Sequence, residues 1–220
     1  LSGSSDGSIR LWEWGVGQPL FTPRVAGQYA KNQKCHSKSA ADVKFVGSSS
    51  SVLVTAGFSS GDQNVALWDT LLPQSKAMVH SWVAHPEGAS SIMYLRSQQT
   101  IVSGGRHGEV CLWDIRQRQL RSTVKCFENS AVKCLVGDPS QDMVIAGSND
   151  GDIKIWNVDA APQLVLSLSG EHAARGGFSL RQVASGGIQG VQQLFLDAQM
   201  RLFSCGADCS LKCRPLSTLF

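Results

Sequence analysis

One pattern occurs five times in this 220-residue chain: a short apolar run, a tight turn, and a second, alternating run that ends on tryptophan. The clearest copy is VIAGSNDGDIKIWNV at 144–158. The others read SGSSDGSIRLWEW (2–14), VTAGFSSGDQNVALWDT (54–70), IVSGGRHGEVCLWDI (101–115) and a worn LFSCGADCSLKCRPL (202–216). Aligned on Trp12, Trp68, Trp113, Trp156 and Arg214, the copies step by 56, 45, 43 and 58 residues. Positions three and one before the anchor are always apolar, from Ile9 and Leu11 to Leu211 and Cys213, and the position between them is free. That period of two is a strand held in one register. Six before the anchor stand Asp6, Asp62, His107, Asp150 and Asp208; five before stand Gly7, Gln63, Gly108, Gly151 and Cys209. Asp-Gly is the strongest short hairpin signal, because glycine takes positive φ cheaply. No helical spacing recurs, so the class is all-β.

Steps in the forties that close on a Trp-Asp-like pair resemble the blades of WD-repeat propellers. The expected fold is therefore an all-β WD-repeat β-propeller with about five recognisable blades. Propellers run from four to eight blades and this chain opens mid-blade, so a partial ring of a larger propeller, cut from something longer, is expected. The units run 1–34 (the end of a blade and its connection), 35–83, 84–127, 128–168 and 169–220. Residues 19–21 are expected to add an outer strand to the first unit. The Gly-, Ser- and Arg-rich stretch 171–190 is too long for an ordinary connection.

Near the start of each later unit stand His36, His85 and His172. Ten before the anchor stand Ser2, Ser103, Ala146 and Ser204, with Thr55 displaced to thirteen before. His, hydroxyl, Asp and Trp from one blade can share a buried hydrogen-bond chain, each bond netting about 1 kcal/mol. On this reading the second unit holds a full set: His36, Thr55, Asp62 and Trp68. The third has His85, Ser103 and Trp113 with His107 for Asp. The fourth has Asp150 and Trp156, with Ala146 for the hydroxyl and Glu128 or Asn129 at the histidine place. The fifth has His172, Ser204 and Asp208 with Arg214 for Trp.

A Ser–His–Asp hydrolase triad needs an exposed, strained nucleophile and an oxyanion hole. Ser103 and Ser204 sit inside apolar strands of a repeating set, so structural pairing is expected, with no catalytic residues. The glycine clusters at 103–105 and 186–190 lack the GK[ST] of a phosphate loop, and no cofactor is implied. A formal charge of +3 is too small to argue for nucleic acid or an anionic bilayer, and no run of 18 apolar residues suggests insertion into one. The seven cysteines form no even framework and read as reduced, buried thiols of an intracellular protein. Cys205, Cys209 and Cys213 are four apart, but strand end, turn and next strand do not converge on one metal, so no metal site is expected. What remains is binding through rim loops. Candidate contacts by position are Arg106, His107, Asn149, Arg175 and Arg181, with Arg116 and Arg118 in a charged turn.

Some stretches go beyond the generic repeat. CHSK (35–38), NVALWDTL (64–71), DIRQRQL (114–120) and RLFSCGAD (201–208) resemble the C-terminal propeller of the DmX-like, or rabconnectin, family, from about Cys35 to Leu216 plus the opening segment. The resemblance implies a very large, non-catalytic scaffold related to the yeast RAVE assembly factor. It implies a role in assembly and acidification activity of the vacuolar proton ATPase (V-ATPase). The implied partners are V1 subunits or RAVE-type subunits, at endosomal, vacuolar or vesicle membranes reached from the cytoplasm. It also implies a further blade between the first motif and CHSK, where this chain has only about twenty residues.

Overall fold

The computed structural model describes residues 1–11, 31–47, 51–61, 63–138, 142–173 and 189–216. It is built from antiparallel sheets, five in all among the described residues. The first sheet is β1 (Ser2–Gly3), β2 (Ser8–Leu11) and β3 (Lys31–Lys34). The second is β4 (Ser39–Phe45), β5 (Val52–Phe58), β6 (Gln63–Asp69) and β7 (Met78–Val83). The third is β8 (Ala89–Leu95), β9 (Thr100–Gly105), β10 (Glu109–Asp114) and β11 (Gln119–Lys125). The fourth is β12 (Val132–Asp138), β13 (Met143–Ser148), β14 (Ile153–Asn157) and β15 (Gln163–Leu168). The fifth is β16 (Val191–Leu196), β17 (Arg201–Gly206) and β18 (Leu211–Pro215). Within each sheet the strands follow chain order, and among the described residues the sheets form a propeller arc that does not close into a ring.

The repeat explains the hairpins. Gly7, Gly108 and Gly151 sit at φ of 80°, 84° and 98°, and Cys209, in the same repeat position, at 59°. The turn demands a left-handed residue there, which glycine supplies without strain. Only Gln63 departs, in the copy whose turn is lengthened. A single 3₁₀ turn, Gln74–Lys76, interrupts the all-β pattern among the described residues.

Apolar clusters weld neighbouring sheets face to face. Leu95, Leu112, Val132 and Val144 join the third to the fourth, and Ile145, Ile155, Leu194 and Leu202 the fourth to the fifth. Along the inner edge, hydrogen bonds connect first strands of successive sheets. Asp42 of β4 accepts from the Ile92 amide at 3.1 Å and the Ser91 hydroxyl at 3.3 Å, and Ser91 Oγ accepts from the Leu135 amide at 3.1 Å. The join between the first and second sheets is thinner. Its cluster holds three alanines, Ala40, Ala66 and Ala77, beside Ile9, Leu53 and Trp68, and a cleft of about 470 Å³ lies there.

The two end sheets are incomplete in complementary ways. The first has no counterpart of β4 on its inner side, and the fifth has no counterpart of β7 on its outer side, among the described residues. The outer strand of the first sheet is Lys31–Lys34, paired with β2. The expected strand at 19–21 lies outside the described residues, as do Trp12 and Trp14.

Candidate functional site

The histidine sets form at the rim where each strand-to-strand turn meets the start of the next unit. The carbonyl of Gly7 accepts the His36 amide at 3.0 Å, Gly108 accepts Phe127 at 3.0 Å and Gly151 accepts His172 at 2.9 Å. Each turn glycine therefore positions the residue that opens the following blade.

In the second sheet, Trp68 Nε1 donates to Thr55 Oγ1 at 3.0 Å, and Thr55 Oγ1 lies 2.9 Å from His36 Nε2. The other imidazole nitrogen is 3.2 Å from Ser59 Oγ. Asp62 lies outside the described residues. In the third sheet, Trp113 Nε1 donates to Ser103 Oγ at 2.8 Å, and Ser103 Oγ is 2.8 Å from His85 Nε2. His85 Nδ1 meets Glu109 Oε1 at 2.6 Å. In the fifth, His172 Nδ1 donates to Asp208 Oδ1 at 2.7 Å, and its Nε2 lies 2.8 Å from Ser204 Oγ.

Several expectations need correction. His107 does not take the acidic place of the third set. It is exposed and lies 3.5 Å from Glu87, while Glu109, two residues on and inside the strand, reaches His85. The third set is thus complete. Asp150 belongs to no buried set: it is exposed, and its amide donates to Ser130 Oγ at 3.1 Å and Ser148 Oγ at 3.2 Å. Glu128 and Asn129 are exposed too. The histidine place of the fourth sheet is taken by Phe127, 3% exposed, and Trp156 Nε1 donates to Cys126 Sγ at 3.1 Å. With no hydroxyl at Ala146, the indole turns to the nearest buried acceptor.

A sequence signal for these sets does exist, two residues past each hydroxyl. A Cβ on Gly57 would lie 2.5 Å from His36 Cδ2, one on Gly105 2.3 Å from His85 Nδ1, and one on Gly206 2.4 Å from His172 Cβ. The imidazole packs flat on a bare backbone. The fourth sheet has Ser148 at this place, and it has no histidine.

The same geometry supports two protonation states. Burial is the main cause that drives His36 down to about 4, so its ring is neutral. Burial also pulls His85 down, but the side chains of Cys111 and Glu109 outweigh it and raise the ring to about 9. Glu109 is the decisive partner, because it carries a charge, whereas the Cys111 thiol engages the Thr123 hydroxyl at 3.6 Å. Burial pushes the Glu109 carboxyl up, and its bond to His85 holds it below the usual range. Asp208 is likewise pushed up by burial yet held well below the usual range by donors from His172 and Ser210.

The two rings respond oppositely to pH. His36 is protonated more readily unfolded, so stability falls as pH drops from 6.5 towards 4; His85 holds its proton more tightly folded, so its contribution is full below about 6.5 and is lost as pH rises through about 9. Replacing Glu109 with Gln keeps a hydrogen-bond acceptor but removes the charge. Burial then dominates, and the His85 titration followed by NMR is expected to fall from about 9 to below 6.5.

The candidate partner contacts do not form one patch. Arg106 and His107 (the β9–β10 turn) and Asn149 (the β13–β14 turn) share one rim, while Arg116 and Arg118, in the β10–β11 turn, lie on the opposite one. Arg106 lies over the Phe58 ring, 5.7 Å from its centroid, and Asn149 Nδ2 donates to Gln189 Oε1 at 2.9 Å. Arg118 sits at φ 56° and its carbonyl accepts the Trp82 indole at 3.1 Å. Arg175 and Arg181 lie outside the described residues. Not every cysteine is buried: Cys111 and Cys126 are, whereas Cys209 and Cys213 are exposed. Burial pushes the thiols of Cys35 and Cys134 up to about 12 and of Cys126 to about 11, which keeps them protonated. Among the described residues no cluster of three His, Cys, Asp or Glu side chains could hold a metal ion. Nor is any helix among them long and apolar enough to cross a membrane.

Two segments, 76–114 and 118–157, match the family "WD domain, G-beta repeat". Over the whole chain, mouse and human DmX-like protein 1 are 33% identical across 262 aligned positions. The chain belongs to the DmX-like WD-repeat family. This DmX-like chain spans about 8% of the length of those relatives. The alignment has about 42 more positions than the 220 residues here, close to the 43- and 45-residue steps between anchors, so roughly one blade's length of the relatives has no counterpart. Nuclear distribution protein nudF of Aspergillus niger is 25% identical over 77% of the chain and 35% of its own length. Among solved structures, a chain of a Mitotic Checkpoint Complex matches with TM-score 0.72 at 16% identity over 97% of this chain and 59% of its own. The computationally designed Ika8 protein matches with TM-score 0.65 at 21% identity over 96% and 53%. These last two likenesses are of fold. The DmX-like chain is a WD-repeat protein-interaction scaffold.

Proposed function

We propose that this DmX-like chain is a non-catalytic scaffold module through which a regulator of V-ATPase engages V1 or RAVE-type subunits, held at endosomal, vacuolar or vesicle membranes through those partners. The observation that carries the reading is the 33% identity to DmX-like protein 1 along the entire chain, since generic blade residues do not extend into DIRQRQL or RLFSCGAD. The buried sets support a non-catalytic role. Ser103 is 0% exposed and Ser204 4%, and the Ser103 hydroxyl already meets an imidazole and an indole. A nucleophile needs an exposed oxygen facing an oxyanion hole. Affinity purification of the intact protein from cell extract tests the proposal. Recovery of V1 subunits is expected; recovery of cullin-adaptor or vesicle-coat subunits instead would move the chain to a general WD-repeat adaptor.

A further inference from the structure

The DIRQRQL stretch runs from the end of β10 into β11 and carries two arginines that the fold does not use. Arg116 and Arg118 sit in the β10–β11 turn and Arg96 in the β8–β9 turn of the same rim, and all three are exposed. Among the described residues their guanidiniums make no ion pair and no hydrogen bond. Arg121, by contrast, donates to the carbonyls of Val158 and Asp159 and ties the third sheet to the fourth.

The turns that display these arginines are fixed. The Ile115 amide donates to the Gln99 carbonyl at 3.2 Å, which joins the two turns, and the Gln117 amide donates to Asp114 Oδ1 at 2.8 Å. The Arg118 carbonyl accepts the Trp82 indole at 3.1 Å, so the second turn also leans on the second sheet. Side chains on such a frame lose little further freedom on binding. Their charges gather at the junction of the second and third sheets. Tyr94 packs there against the shared core; burial raises its hydroxyl, and the charges of Arg96 and Arg116 oppose that rise. His80, edge-on to Trp82 at 4.7 Å, is lowered by burial and then by the charge of Arg118.

The acids of the adjoining turns do not answer these charges. Asp69, Asp114 and Asp142 accept from the Leu71 amide, the Gln117 amide and the Ser97 hydroxyl. Residues 48–50 and 139–141 on this rim, outside the described residues, contain no charged side chain. We propose that this junction docks an acidic segment of a partner protein, whose carboxylates pair with Arg96, Arg116 and Arg118. A guanidinium meets a carboxylate through two parallel hydrogen bonds, and three of them on two turns suit a run of acids better than one phosphate. The rim as a whole is not basic, since Asp69, Asp138, Asp142 and Asp159 lie on it too. An anionic bilayer would face all of these, whereas a narrow peptide faces only the junction. The proposal deepens the scaffold reading and rests on it for the existence of a partner. It is tested without that partner, so failure of the surface and failure of the purification are separate results.

The probe is a fluorescent decaglutamate peptide, titrated into the intact protein at low ionic strength and followed by anisotropy. Saturable binding is expected. Arg96→Gln, Arg116→Gln and Arg118→Gln should each weaken it about three- to fivefold, with circular dichroism unchanged. Arg106→Gln removes the same charge from the opposite rim and should leave binding as it was. Arg116→Lys keeps the charge but not the fork, and should bind between wild type and Arg116→Gln; it decides the matter should a glutamine variant fail to fold. Vesicles of phosphatidylserine are the competing ligand. No saturable binding of the peptide, an equal loss in Arg106→Gln and Arg116→Gln, or arginine-dependent binding of the vesicles in preference to the peptide would each overturn the proposal.

Discussion

Replacing Trp113 with Ala is expected to destabilise the third sheet and its junction with the second by about 3–5 kcal/mol. Trp113 is 4% exposed and belongs to the cluster of Val54, Val65, Ile92 and Ile101 that joins the two sheets. Its ring lies 5.6 Å from that of Trp82, at a tilt of 37°. Truncation leaves a ring-sized void and removes the N–H donor that reaches Ser103. The loss should be local, because each sheet contacts its neighbours and little else. Hydrogen exchange of the intact protein should accelerate in β5–β6 and β8–β10 and stay near wild type in β16–β18. Uniform acceleration would mean that the sheets unfold as one unit.

Gly151→Ala should produce the next largest effect, about 2–5 kcal/mol, through two sources that add. The residue sits at φ 98°, where a Cβ costs about 1–2 kcal/mol. That Cβ would also lie 2.4 Å from the Ala173 amide nitrogen and 2.5 Å from the His172 carbonyl carbon, backbone that has no rotamer to yield. The Gly151 carbonyl holds the His172 amide, so displacement passes directly to the His172–Ser204–Asp208 set. The expected signature is fast exchange of the fifth sheet's amides, caused by a substitution in the fourth. If the fourth sheet alone loosens, the turn glycine does not position the next blade.

The architecture could be read from the sequence because it depends on local, repeated features. Period-two alternation set the strand register, and Asp-Gly set the turns, down to the left-handed Cys209 that takes glycine's place in the worn copy. The polar sets could be read only in part. Histidine and hydroxyl were found because each recurs at the same place in the unit, the histidine near its start and the hydroxyl in the strand before the turn. Glu109 was missed because it approaches His85 from within the strand rather than from the turn position where an aspartate was expected. Asp150 keeps the expected position yet points to solvent, since Phe127 leaves no imidazole for it to meet. The Asp42–Ser91–Leu135 link lies between different blades, and no single repeat contains it.

The central claim is that the recurring His–hydroxyl–Trp sets hold blades together. Hydrogen exchange of Ser103→Ala in the intact protein tests it most directly. Ser103 Oγ meets both His85 and Trp113, so its loss leaves two buried polar groups short of a partner, each costing about 1–3 kcal/mol. The account predicts markedly faster exchange across β8–β11. Exchange in that sheet indistinguishable from wild type would contradict it.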